Sequence, residues 1–124
     1  MLDILALMMK SKLFRHFTRN ECLGICQISC PREKQFEKNR IIVSQGDKAA
    51  YIGIIHNGRI AGSKFYDNGD SHLFHIWSEN DILGLEAAFS TLGTYPFTLT
   101  ALENLSVLIF ARDKILSDLL SMEI

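Results

Sequence analysis

Residues 41–77 read IIVSQGDKAAYIGIIHNGRIAGSKFYDNGDSHLFHIW, and this stretch decides the fold. Ile41 to Ser44, Tyr51 to His56, Arg59 to Tyr66 and Ser71 to Trp77 are rich in β-branched and aromatic residues. Between them stand Gln45-Gly46-Asp47, Asn57-Gly58 and Asp67-Asn68-Gly69-Asp70. Such runs, cut at regular intervals by Gly, Asn and Asp, predict short antiparallel strands. Asn57-Gly58 is the clearest turn, because a two-residue type I′ hairpin needs positive φ at both centres.

Downstream, Ser78-Glu79-Asn80-Asp81 makes another turn, and Phe97 to Leu102 and Ser106 to Phe110 read as further strands. Even strand spacing with short connections predicts a mainly β chain of about eight strands, a barrel or jelly roll doubled or closed on itself so that few edges stay exposed. Ile42, Ile52, Ile54, Phe74, Ile76, Leu99 and Ile109 are the expected core. Within residues 80–103, NDILGLEAAFSTLGTYPFTLTALE, a turn, a short helix over Glu86 to Ser90 and a strand meet. Gly84 permits close backbone approach at that junction. The free N–H groups of the helix's first turn could seat a polar or anionic ligand group.

Upstream, Leu2 to Met9 predicts a short packed helix, with Leu13, Phe14 and Phe17 continuing its apolar face. Thr18 or Asn20 can cap a second helix that runs to Ser29 and is stopped by Pro31. Cys22, Cys26 and Cys30 share one face of that helix. They read as packing residues rather than metal ligands, since no fourth ligand stands at a recognisable spacing. At the other end, Arg112 to Met122 places Ile115, Leu116, Leu119 and Leu120 on one face of an amphipathic helix. That face can pack back on the strands or be shared in a homodimer.

The chain has 124 residues, 48% of them apolar and only two prolines, which fits one folded domain over 1–124. No apolar run is long enough for a membrane span, residues 1–12 lack a signal-peptide pattern, and an odd cysteine count suits a reducing compartment, so a cytoplasmic protein is expected. Net charge is -1, but residues 1–40 carry eight Lys/Arg against four Asp/Glu and residues 41–124 carry five against ten. No basic face for nucleic acid stands out. Gly69, His72, His75, Glu79 and Gly84 loosely match a cupin-type metal motif, but histidines three apart on a strand point to opposite faces unless a bulge intervenes. One of them is expected to face inward. No nucleophile, base and orienter pattern is present, so the chain is not expected to be an enzyme, and no metal or cofactor is expected. A packed roll without ligand, or a cupin-like metalloenzyme, are the alternatives.

The order of signals, with IIVSQGDKAAYIGIIHNGRI followed by NDILGLEAAF and TLTALEN, resembles the cyclic-nucleotide-binding-type effector domain of the Crp/Fnr transcription regulators over roughly Leu13 to Leu120. The resemblance implies a double-stranded β-helix, or jelly-roll β-roll, with flanking helices, holding a small effector whose presence is passed to a DNA-binding domain. In nucleotide-binding members a Gly-Glu pair takes the ribose and an arginine takes the cyclic phosphate. Here Glu86 falls one place late after Leu85, the arginine position is Tyr95, and no Lys or Arg occurs from Phe65 through Ala111. A phosphate buried without a cation costs several kcal/mol, so cyclic AMP is not the expected ligand. The expected partner is a small, largely neutral or aromatic effector of unknown identity. Its site is a pocket between the strand Ser71 to Trp77 and the cassette, lined by Phe74 or His75, Trp77, Gly84, Leu85, Glu86, Tyr95 and Phe97. The family's helix-turn-helix has no counterpart within these residues, so no nucleic acid is expected for this chain alone, and operator DNA only if a C-terminal domain exists in the full protein.

Overall fold

The computed structural model describes residues 4–11, 14–48, 51–84, 93–111 and 113–114. Helix α1 (Ile4–Lys10) and helix α2 (Arg19–Ser29) precede eight strands: β1 (Arg32–Phe36), β2 (Ile41–Val43), β3 (Tyr51–Asn57), β4 (Ile60–Phe65), β5 (Ser71–Trp77), β6 (Ile82–Leu83), β7 (Thr98–Ala101) and β8 (Leu105–Ala111). They form two four-stranded antiparallel sheets, ordered β1-β8-β3-β6 and β2-β7-β4-β5. Apart from the β4–β5 hairpin, consecutive strands therefore alternate between sheets, which is the jelly-roll arrangement. No described helix is long and apolar enough to cross a membrane.

Side-chain parity on β3 and β8 divides the core in two. Ile52 and Ile54 on β3, with Leu108 and Phe110 on β8, face the helices and pack against Leu7, Met8, Phe14, Cys22 and Ile25. The intervening Ile55, Leu105 and Val107 face the second sheet and meet Ile60, Leu83, Tyr95, Leu99 and Ala101. Alternate residues of a strand point to opposite faces. With both faces covered, Ile52, Gly53, Ile54 and Ile55 are buried in succession, and the sequence reads YIGIIHN as a nearly unbroken apolar run. Phe14 ties the helices to the sheet, with its ring 5.7 Å from Phe110 and 5.6 Å from Phe17. Between the helices' two packed segments, the buried Ser11 hydroxyl donates to the Met8 carbonyl at 2.7 Å and accepts from the Phe14 N–H.

Local chemistry fixes α2. Thr18 accepts from the Glu21 N–H at 3.1 Å while the Glu21 carboxylate accepts from the Thr18 N–H at 2.9 Å, a reciprocal capping box. At its end Cys30 adopts the left-handed conformation before Pro31. Cys22 is buried, Cys26 half-buried and Cys30 exposed. Burial pushes the Cys22 thiol up, with Glu21 adding to it, and burial likewise raises Cys26, with Cys30 adding.

The structure differs from the sequence expectations at four places. Asn57-Gly58 is not a hairpin: β3 pairs with β8 and β6 while β4 pairs with β5 and β7, and of the pair only Gly58 has a positive φ, 106°. It is the corner where the chain crosses from one sheet to the other, and turn residues alone do not distinguish the two. Strands β1 and β6 were not anticipated: β1 reads REKQF with four exposed residues, and β6 has only two. Phe74 and Ile76, expected in the core, are 51% and 41% exposed. They lie on β5, at the edge of its sheet, where an apolar strand need not be covered. Finally, a register shift between Gly62 and Ser63 leaves Phe74 as an extra residue opposite β4, so a bulge does separate His72 from His75, and both histidines are exposed rather than one turning inward. The expected helices over Glu86 to Ser90 and Arg112 to Met122 lie outside the described residues, apart from Asp113 and Lys114.

The sheet-crossing corner can be tested directly. A Cβ on Gly58 would stand 2.8 Å from the Asn104 carbonyl oxygen and 3.1 Å from Leu105 Cα, whereas Gly69, with φ 90°, has nothing within 4 Å. Gly69→Ala should cost about 1–2 kcal/mol for the left-handed backbone alone. Gly58→Ala adds a backbone clash and should cost about 1–3 kcal/mol more. Urea unfolding of the two variants measures the gap; equal losses would mean that the corner has room for a methyl group.

Candidate functional site

Three backbone segments meet where the cassette begins. Gly84 follows β6 with φ 86°, and a Cβ there would lie 2.9 Å from the Tyr51 carbonyl oxygen and 3.5 Å from the Tyr95 hydroxyl. Only glycine combines that conformation with that approach. Tyr95, buried, donates its hydroxyl to the Tyr51 carbonyl at 3.0 Å. Its main chain is held as firmly: Gly46 N–H donates to the Tyr95 carbonyl and Tyr95 N–H donates to the Asp47 carbonyl, each at 2.9 Å. Lys48 and Thr94 form the next β-bridge.

The loop between β2 and β3 is itself braced. The Asp47 carboxylate accepts from the Ser44 N–H at 2.9 Å, closing the turn around Gly46. Gln45 N–H donates to the Thr98 hydroxyl at 3.0 Å. The Gln45 side chain pairs with the Phe65 main chain in both directions, accepting from its N–H at 2.9 Å and donating to its carbonyl at 3.3 Å. The loop that carries Asp47 and Lys48 is thus fixed to both β4 and β7.

Between the sheets, beside Tyr95, lies a cavity of about 250 Å³. Buried Gly53, Leu83, Tyr95, Leu99 and Val107 form its floor, and half-buried Phe36, Ile42, Val43 and Ile109 its walls. The exposed residues Lys34, Asp47, Lys48 and Tyr51 make its rim. A concave apolar site with a few polar groups is the usual form of a small-molecule pocket, and its volume lies just under the roughly 300–1,000 Å³ common for such sites. Among the described side chains of the floor and walls, the only polar atom is the Tyr95 hydroxyl, already committed to Tyr51.

Of the residues expected to bind a ligand, Tyr95 lines this cavity, and Gly84 sets its position. Phe74, His75, Trp77 and Phe97 instead form an aromatic row along β5 and the residue just before β7. Ring centroids are 5.0 Å apart for Phe74 and Phe97, 4.7 Å for His75 and Trp77, and 6.4 Å for Trp77 and Phe97. Trp77 lies over Gly62, where a Cβ would meet its ring at 2.5 Å. Leu85 and Glu86 lie outside the described residues. Among the described residues, no three of His, Cys, Asp and Glu converge; His72 stacks edge-on to Tyr66, away from the cavity lining. Sequence reasoning missed Lys34 and Lys48, which bring cations to the site from β1 and the β2–β3 loop rather than from the cassette. The Lys34-x-Phe36 alternation, with the exposed Lys34 Nζ 5.4 Å from the Phe36 ring, was the available signal.

Residues 33–121 match the cyclic nucleotide-binding domain family, and the chain belongs to it. No curated protein matches it in sequence. Among solved structures it is similar to the sensor domain of the transcriptional regulator DNR from Pseudomonas aeruginosa, with TM-score 0.82 and 15% identity over 92% of this chain and 75% of that one. The Thermus thermophilus Catabolite Activator Protein gives TM-score 0.78 and 15% identity over 91% of this chain and 52% of that one. The cAMP bound form of the EAL enzyme Bd1971 gives TM-score 0.63 and 26% identity over 69% of this chain and 23% of that one. The chain thus spans three quarters of the first, half of the second and a quarter of the third. The resemblance to Crp/Fnr effector domains seen in the residues agrees with the family match and with the jelly roll.

Tyr95→Phe should lower stability by about 1 kcal/mol at neutral pH, because it leaves the Tyr51 carbonyl without its donor. Burial raises the Tyr95 phenol above its ordinary range, with Asp47 adding to it. The folded state therefore favours the neutral phenol. Its contribution is fully present below about pH 10, the value of a free tyrosine, and is lost as pH rises through the folded value. Thermal unfolding across pH 7 to 11 should show wild type converging on Tyr95→Phe at the alkaline end. A constant gap would mean that the phenol does not titrate with unfolding.

Proposed function

We propose that this domain is the effector-sensing part of a Crp/Fnr-like transcription regulator, and that it binds a small ligand other than a cyclic nucleotide in the cavity between its sheets. The observation that carries this is Tyr95. At the position where the resemblance puts the phosphate-binding arginine stands a buried phenol whose hydroxyl is occupied by the Tyr51 carbonyl. A cyclic phosphate there would meet an aromatic ring in place of a bidentate guanidinium, and would lose the strongest contact such a site can make. The described floor and walls are otherwise aliphatic and aromatic, so ribose hydroxyls and purine nitrogens set against them would be buried without partners at a cost of about 1–3 kcal/mol each.

A cavity remains although Tyr95 fills the arginine position, which favours a ligand-holding domain over a solid scaffold. Effector occupancy would act through the segments that Tyr95 joins: the β2–β3 loop, the start of β3 and the opening of the cassette. In the whole regulator that change would be passed to an operator-binding domain, and the domain itself performs no chemistry. One observation favours a second reading, cyclic AMP binding: the 26% identical Bd1971 structure is a cAMP bound form.

Isothermal titration calorimetry with cyclic AMP separates the two readings. We expect no binding with a dissociation constant below about 1 mM, near -4 kcal/mol at the standard state. Saturable heat at micromolar cyclic AMP would overturn the non-nucleotide assignment.

A further inference from the structure

Among the described residues, the rim of the cavity carries more positive than negative side chains. The described charged side chains there are Lys34, Asp47 and Lys48, two cations against one anion. The Asp47 carboxylate is held by the Ser44 N–H. The one ion pair seen among the described residues, Arg59 with Glu103, is elsewhere, so neither lysine is paired with a described carboxylate. Lys34 Nζ lies over the face of Phe36, at 5.4 Å. Below these two ammonium groups the described lining is apolar apart from the committed Tyr95 hydroxyl, with Ile42, Leu83, Leu99, Val107 and Ile109. One excess positive charge at the mouth of an apolar chamber is complementary to one negative charge on an apolar body.

We infer that the effector is a small apolar organic monoanion, of the class of aromatic or branched-chain monocarboxylates, with its carboxylate between Lys34 and Lys48 and its hydrocarbon body against the floor. This rests on the cavity being the effector site and names the ligand class for it. The volume of about 250 Å³ suits a body of one ring or a branched chain. The cation supply also differs from the family's pattern in origin: it comes from β1 and from the loop before β3, not from the cassette. A carboxylate can accept from both ammonium groups at once while its body displaces water from apolar walls. Because both lysines are solvent-exposed, the charge contribution is modest and screened by salt.

Matched pairs of probes isolate the charge: phenylacetate against phenylacetamide, and 4-methylpentanoate against 4-methylpentanamide, titrated by calorimetry and by ligand-observed NMR into wild type, Lys34→Met, Lys48→Met, the double variant and Lys38→Met. Lys38 is exposed and outside the lining, and serves as the control. The acids should bind about tenfold tighter than their amides at low salt. That preference should shrink in each single variant and vanish in the double variant, with amide affinity unchanged, and should persist in Lys38→Met. All substituted side chains are exposed, so the fold should be retained, as circular dichroism will check. Acid and amide binding equally, or a preference that survives the double variant, would overturn the monoanion assignment while leaving the cavity as the effector site. If neither acids nor amides bind any variant, the cavity reading falls and the ligand class with it.

Discussion

Burial of the β3–β8 pair on both of its faces is the constraint on which the rest of this structure depends. One face takes the two helices through Ile52, Ile54, Leu108 and Phe110, and the other takes the second sheet through Ile55, Leu105 and Val107. Each buried large aliphatic or aromatic side chain stabilises the fold by roughly 1.5–3 kcal/mol, so a one-residue slip of either strand would exchange two cores at once. The register is held accordingly, with Ile52 opposite Phe110 and Ile54 opposite Leu108. Because β3 and β8 cannot slide, the points at which neighbouring segments leave them are also fixed. Tyr51, at the start of β3, is one of these points, and its carbonyl is the acceptor that locates Tyr95.

From that anchor the site follows by short steps. Tyr95 is tied to Tyr51 by its side chain and to Gly46 and Asp47 by its main chain. Gly84 passes within reach because it has no side chain. The same bonds place Asp47 and Lys48 at the rim of the cavity, while β1, paired with β8 from Arg32↔Ile109 to Phe36↔Leu105, brings in Lys34. The family's fold is thereby kept, with Tyr95 bonded to Tyr51 at its centre. A phenol stands where a guanidinium is expected, and the cations arrive from outside the cassette.

Much of this was legible in the sequence, and the parts that were not share a cause. Strand alternation and turn residues located most of the strands and the α2 cap, because those signals are local: Thr18 and Glu21 recognise each other within one turn, and Gly46, Gly69 and Asn80 take the positive φ that their turns need. Gly84 and Tyr95, both singled out in the sequence, lie close together in the structure. What sequence could not give was which sheet each strand joins. Asn57-Gly58 has hairpin chemistry but turns a corner between sheets, and Phe74 and Ile76 have core composition but sit on an edge. Lys34 and Lys48 were overlooked for the same reason, since they are 14 residues apart in sequence and reach one cavity only through pairings with β8 and with Thr94. Phe74, His75, Trp77 and Phe97 are near one another as expected, yet stand beside the cavity rather than around it.

The central claim is that a ligand is sensed at the Tyr95–Tyr51 junction and that a cyclic nucleotide is not. The chain has only three tyrosines, Tyr51, Tyr66 and Tyr95, so fluorine NMR of protein labelled with 3-fluorotyrosine gives three lines, assignable by single Tyr→Phe variants. Tyr51 and Tyr95 line the cavity, while Tyr66 packs against His72 on the β4–β5 hairpin. Titration with phenylacetate should move the Tyr51 and Tyr95 lines and leave the Tyr66 line in place, and cyclic AMP at the same concentration should move none. A shift of the Tyr95 line with cyclic AMP, or of the Tyr66 line alone with phenylacetate, would contradict the account.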